Sequence, residues 1–149
     1  MPPLPTRRFD ILLIEDNAAD VALTTAAFRD ALVDARLHIV QDGEEAMAFL
    51  RHTGAERPDL VVLDLSLPGG SGFDVLEEMK ADPKLKSIPV VVMSGSDRAA
   101  DQARAYRLQA GAYIVKPADK DKYFDAIRSI KELWFHTITP VPKENDASV

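Results

Sequence analysis

Five short apolar runs recur along the chain, and four of them stop on a side chain that can do chemistry. FDILLI (9–14) leads into Glu15 and Asp16, and LVVL (60–63) into Asp64. VVVM (90–93) leads into Ser94, and YIV (113–115) into Lys116 and Pro117. The fifth run lies near 37–40 and precedes an Asp42-Gly43 turn. Short, nearly continuous apolar runs are the pattern of strands buried on both faces of a parallel sheet. Helix-like stretches separate them. Residues 18–32 place Val21, Leu23, Ala27, Phe28 and Leu32 on an apolar face, with Asp16 or Asn17 as cap. Further helices are expected through Ala46, Phe49 and Leu50, over 73–81, over 97–109 ahead of Gly111, and from about 119. Parallel strands need crossover connections, so five such repeats imply helices on both faces of one sheet. With right-handed crossovers the expected architecture is α/β: a flavodoxin-like (βα)5 doubly wound sheet of order 2-1-3-4-5.

The remaining segments divide the chain. Residues 1–8 read as an N-terminal tail, 9–130 as the folded domain, and 131–149 as a C-terminal extension whose polar, proline-interrupted end (139–149) is expected to be disordered. The LPGGSG segment (67–72) reads as a mobile loop, with Pro68 and three glycines. The chain has 149 residues, of which 46% are hydrophobic and none is cysteine, so a core can form without disulfides and thiolate metal sites are excluded. The first eight residues lack the apolar stretch of a signal peptide, and no apolar run approaches the roughly 20 residues of a membrane span. A cytoplasmic protein without membrane contact is expected. The net charge of −6 argues against a nucleic-acid partner, because coating phosphate backbones takes clustered Lys and Arg.

In open α/β sheets ligands bind at the carboxyl ends of the strands. Glu15, Asp16 and Asp64 would therefore share one rim. Three crowded carboxylates repel each other, and a divalent cation offsets that repulsion. Hard oxygen ligands without Cys or His favour Mg²⁺ or Mn²⁺ over zinc. Asp64 is the expected reacting group, because a carboxylate can attack a phosphoryl group and form an aspartyl-phosphate. Lys116 would supply a fixed positive charge to one phosphoryl oxygen, and Ser94 a hydroxyl to another. The Lys116-Pro117 bond is a candidate for the cis isomer, which would aim the lysine inward.

Taken together, ILLIEDN (11–17), DLVVLDLSLPGGSG (59–72), VVVMSG (90–95) and AGAYIVKP (110–117) resemble the receiver domain of two-component response regulators. Their order covers residues 8 to 130. The resemblance implies Asp64 as phosphoacceptor and Glu15-Asp16 as the acidic pair that binds metal. It implies that the Ser66 backbone carbonyl completes the metal shell. Ser94 becomes the switch hydroxyl, Tyr113 the switch aromatic, and Lys116 the phosphate-pairing lysine. Glu-Asp stands where Asp-Asp is commoner, and neither Ser66 nor Ser96 offers a carboxylate or amide to position a hydrolytic water. The implied switch is a population shift: Ser94 moves toward the phosphoryl group, the 95–98 loop follows, and Tyr113 rotates inward.

Past Ile130, where receivers usually end, the apolar signal continues through Leu133, Trp134 and Phe135 to Ile138. Large aromatics beyond a domain's end mark a contact surface, and a homodimer with docking arms is expected. The start, the IPVVVMSGS segment (88–96) and the terminal IKELWF (130–135) resemble a subgroup of single-domain regulators that serve bacterial phytochrome-type histidine kinases. The implied function is a phosphoacceptor without a DNA-binding output domain, not an enzyme in the ordinary sense. Alternatives are a phosphorelay intermediate or sink, a non-phosphorylated interaction module, or an aspartyl-nucleophile phosphatase. That last class wants a second acid two residues after the nucleophile, where this chain has Ser66.

Overall fold

The computed structural model describes residues 8–52 and 57–135. The tail at 1–7, the tail at 139–149, Ile138 and part of the polar loop after His52 lie outside the described residues. Five strands form one parallel sheet: β1 (Phe9–Ile14), β2 (Ala35–Val40), β3 (Leu60–Leu63), β4 (Val90–Ser94) and β5 (Ala112–Val115). Their order is β2-β1-β3-β4-β5, and every pairing is parallel. The helices are α1 (Ala18–Asp30), α2 (Gly43–Arg51), α3 (Gly72–Ala81), α4 (Ala99–Arg107) and α5 (Lys120–Ile130), and a π-helical turn, Lys131–Phe135, continues α5. This is the flavodoxin-like doubly wound topology expected from the alternating runs.

Alternate strand residues feed two cores, as the period of two in a strand requires. Leu12, Ile14, Val61, Leu63, Val90 and Val92 face Ala46 and Met47 of α2, Val75, Leu76 and Met79 of α3, and Ala105 of α4. Ile11, Leu13, Leu60, Val62, Val91 and Met93 face Ala27 and Phe28 of α1 and Tyr123, Ile127 and Ile130 of α5. Each helix start has a side-chain cap except that of α4. Asn17 Oδ1 accepts from Asp20 N–H, Asp42 Oδ1 from Glu45 N–H, and Asp119 Oδ1 from Asp121 N–H. Ser71 and Asp74 form a reciprocal capping box on α3.

Three expectations are corrected. Helix α1 ends at Asp30, and Leu32 is 84% exposed with φ 60°, off the apolar face assigned to it. The chain leaves α1 through a left-handed residue so that Val33 N–H can satisfy the Phe28 carbonyl. The 67–72 segment is not an irregular loop. Ser66–Leu67 and Gly70–Ser71 pair as a two-stranded antiparallel hairpin, turned at Gly69 with φ 73°. Among the described residues no peptide bond is cis, so Lys116-Pro117 is trans. The register of β5, with Ser94 opposite Val115, already brings the next residue to the rim.

Candidate phosphoacceptor and metal site

Register sets the site. Ile14 on β1 lies opposite Leu63 on β3, so the residues that follow, Glu15-Asp16 and Asp64, leave the sheet side by side. Backbone bonds continue the ladder past the strand ends: Asp64 N–H donates to the Ile14 carbonyl at 3.0 Å, and Glu15 N–H to that of Val40 at 3.0 Å. Glu15 and Asp64 are buried and Asp16 is exposed. One carboxylate oxygen from each of the three lies within 4.8 Å of the others. That is a hard, all-oxygen donor set with one solvent-facing side, and it fits a divalent cation.

Lys116 is the cation in the midst of these acids. Its Nζ donates to Glu15 Oε2 at 2.6 Å, Asp20 Oδ2 at 2.8 Å and Asp64 Oδ2 at 3.0 Å. Burial alone would lower the lysine's pKa, but the three carboxylates outweigh it and hold the ammonium above its ordinary range. The Glu15 pKa is raised too, which for an acid favours the neutral form. Burial, aided by the Asp64 charge, raises it to about 7 against the pull of Lys116 and of the Asn17 N–H. Burial first, and the neighbouring Asp64 charge second, thus leave Glu15 a carboxyl that resists ionising.

Asp64 is held at both oxygens. Oδ1 accepts from Ser66 N–H at 3.0 Å while Oδ2 takes the lysine. The hairpin behind it leaves no slack: a Cβ on Gly72 would collide with the Asp64 carbonyl oxygen, and Gly72 N–H donates to the Leu65 carbonyl at 2.8 Å. Ser66, named for its backbone, sits on the exposed side of this hairpin.

Ser94 and Tyr113 lie one step away. Ser94 is buried, its Oγ accepting from Ser96 N–H at 3.1 Å, and its carbonyl accepts from Lys116 N–H at 2.7 Å. Tyr113 Oη donates to the Ser96 carbonyl at 2.8 Å, and Ser96 Oγ donates to Asp101 Oδ2 at 2.6 Å. The β4–α4 loop is therefore tied to β4, α4 and β5 at once. Among the described residues no hydrogen bond joins Ser94 or Tyr113 to Asp64.

Pro117, next after the lysine, is half-buried.

The residues match the response regulator receiver domain over positions 11–128. The chain belongs to the response regulator receiver family. Response regulator Rcp1 of Synechocystis sp. is 38% identical over 133 residues, covering 87% of this chain and 90% of Rcp1. Two solved structures superpose closely. The phosphorylated cyanobacterial phytochrome response regulator RcpA has TM-score 0.83 and 42% identity, covering 89% of this chain and 98% of RcpA. The Mn²⁺-bound form of Rcp1 has TM-score 0.82 and 37% identity, covering 89% and 99%. This receiver thus carries its family's general function, taking a phosphoryl group from a kinase in two-component signalling.

The terminal arm divides. Trp134 is half-buried on its own domain, where a Cβ on Gly111 would sit 3.0 Å from Trp134 Cζ2. Leu133 is 60% exposed, and Phe135 closes the π-helical turn. Two residues of the site escaped the sequence reading. Asp20 looks like an ordinary first-turn acid of α1, and nothing local connects it with a lysine 96 residues away. Gly72 was read as a loop residue, whereas its missing side chain is what lets the hairpin close on Asp64. No helix among the described residues is long and apolar enough to cross a membrane.

Proposed function

We propose that Asp64 accepts a phosphoryl group from a sensor histidine kinase of the phytochrome type, and that the receiver then changes its protein contacts. The observation that carries this reading is the Asp64 carboxylate: one oxygen fixed by Ser66 N–H, the other by Lys116, with ligand atoms of Glu15 and Asp16 within 4.8 Å. A carboxylate so oriented is a nucleophile aimed at one point on the rim. Glu15, Asp16 and Asp64, with the Ser66 carbonyl, would hold Mg²⁺ or Mn²⁺, which supplies neutralising charge to the transferring group. Lys116 donates to a phosphoryl oxygen. The phytochrome assignment rests on likeness to Rcp1 and RcpA.

For signalling, Ser94 turns toward the phosphoryl group and gives up its bond from Ser96 N–H. The Tyr113–Ser96 bond couples that movement to β5. Leu133, beside Trp134 and Phe135, would meet a second copy of the chain to form a homodimer. Sedimentation of Leu133→Glu tests the dimer, and an unchanged association state rejects it.

The phosphorylation reading is tested by incubating the protein with acetyl phosphate and Mg²⁺. A covalent phosphoryl group that Asp64→Asn abolishes is expected. Transfer from a red-light-regulated phytochrome kinase, but not from unrelated histidine kinases, is the further expectation. Rapid turnover of varied phosphate esters would favour a phosphatase instead.

A further inference from the structure

Lys116 has three N–H donors, and in this structure three different carboxylates take them. Two of these partners change during the reaction proposed above. Asp64 becomes an acyl phosphate, and Glu15 belongs to the cluster that fits a cation. Asp20 does neither. It stands on the first turn of α1, outside the three-carboxylate cluster, with its backbone N–H fixed by the Asn17 side chain at 3.0 Å. One turn further along α1, Thr24 Oγ1 lies 2.6 Å from the buried Tyr123 Oη of α5, so this stretch of helix cannot shift freely against the domain. Asp20 is therefore a carboxylate on a pinned element, 2.8 Å from the ammonium that the chemistry needs.

We infer that Asp20 is a positioning residue for Lys116: it keeps one N–H throughout, so that the other two are free to follow Glu15 and Asp64 as those groups change partners. The inference rests on the reading of Asp64 as phosphoacceptor. In the reaction, an Asp64 oxygen bonds to phosphorus, the bond from phosphorus to acetate breaks, and acetate leaves with the electron pair. Lys116 keeps all its protons and only redirects an N–H to a phosphoryl oxygen. Without Asp20 the four-carbon stem of the lysine would sample other rotamers whenever Glu15 is drawn away, and fewer encounters would find the ammonium in place.

The test uses the full chain, acetyl phosphate and Mg²⁺, with the rate of phosphorylation followed across donor concentrations. Asp20→Ala is expected to lower the maximal rate roughly tenfold, as loss of a supporting partner does at other sites. Its Mg²⁺ dissociation constant should stay near that of the wild type. Asp20→Asn, which keeps an acceptor oxygen, should fall between the two. In a Lys116→Ala background the further loss of Asp20 should cost nothing, because its effect passes through the lysine. A wild-type maximal rate in Asp20→Ala overturns the inference. So does a full additional loss in the Lys116→Ala background, or a Mg²⁺ affinity that falls in step with the rate. The ¹⁵N resonance of the Lys116 ammonium gives a readout independent of phosphorylation. Slow hydrogen exchange at Nζ in the wild type, lost in Asp20→Ala, supports positioning, and identical exchange in both overturns it. If the wild type takes no phosphoryl group, or Asp64→Asn still takes one, the phosphoacceptor reading fails while the ammonium resonance still reports on Asp20.

Discussion

At the amino end of β1 the fully buried Asp10 accepts from Arg36 Nε at 3.1 Å and lies 3.0 Å from His38 Nε2, whereas at the carboxyl end Glu15 and Asp64 share a single ammonium. Each end of the sheet holds buried carboxylate: Asp10 within β1 at one, and Glu15 and Asp64, just past β1 and β3, at the other. At the amino end the register supplies the partners: Asp10 lies opposite Arg36, and Leu12 opposite His38, on one face of the sheet. Asp59 completes the closure, accepting the Asp10 N–H at 2.8 Å and donating its own to the Asp10 carbonyl at 2.7 Å. That end is satisfied by the protein alone. At the rim, Glu15, Asp16, Asp20 and Asp64 gather around Lys116, and the remaining negative charge calls for something from outside. Buried charge by itself does not mark a site. Uncompensated charge on an open rim does.

The largest effect should separate the two ends by stability. Asp10 is the buried acceptor that Arg36 and His38 share, so Asp10→Ala, which removes both of these bonds at once, should cost about 3 kcal/mol in urea unfolding. Where that variant stays folded, its phosphorylation by acetyl phosphate should match the wild type. Asp10→Asn, which keeps an acceptor for Arg36, should cost less. Asp64→Asn should behave in reverse, losing phosphorylation while the metal-free protein becomes more stable through relief of repulsion. An Asp10→Ala variant as stable as the wild type would break the comparison.

Metal should sharpen it next. Mg²⁺ at a hundredfold excess over its dissociation constant should raise unfolding stability by about 2.7 kcal/mol, since only the folded rim binds it. Glu15→Gln together with Asp16→Asn should erase that gain, and Asp10→Asn should leave it intact. The same experiment carries a pH dependence. Glu15 rises from 4.5 to about 7 in the folded state, so the folded protein binds the extra proton between those values. Stability of the metal-free protein should therefore be higher near pH 5 and decline as pH rises to about 7, then level off. Glu15→Gln should flatten this portion of the profile, and denaturant midpoints taken across it measure the difference.

The sequence showed the rim better than the amino end, for a physical reason. Asp64 and Lys116 end apolar strands, and a strand end is visible one run at a time. The five alternating runs likewise determined the sheet order, because parallel pairing admits few topologies. Asp10 was hidden inside the apolar FDILLI run, where a single acid carries no sign of the Arg36 and His38 that meet it from β2. Asp20 was hidden for the same reason, since only the packing of α1 against the sheet shows that it reaches Lys116. The 67–72 segment was misread as a loop because three glycines and a proline suggest freedom, although here Gly69 and Gly72 permit a tight turn and a close approach to Asp64.

The smallest expected effect uses a glycine where the chain lacks one. Leu32, in the turn that feeds β2 at the amino end, holds φ 60° with its side chain almost wholly in solvent. A left-handed conformation costs an L-residue roughly 1–2 kcal/mol, while glycine adopts it without a Cβ clash but gives up more entropy on folding. Leu32→Gly should therefore gain a net of about 0.5–1 kcal/mol, measured as a higher denaturant midpoint at constant slope. Phosphorylation should not change, because the strain lies at the end of the sheet that the protein satisfies by itself. At the rim the same kind of backbone change runs the other way. Gly72→Ala puts a methyl against the Asp64 carbonyl oxygen, so it should lower stability and slow phosphorylation together. If Leu32→Gly slowed phosphorylation as Gly72→Ala does, the two ends would be coupled through the sheet, and the separation drawn between them would fail.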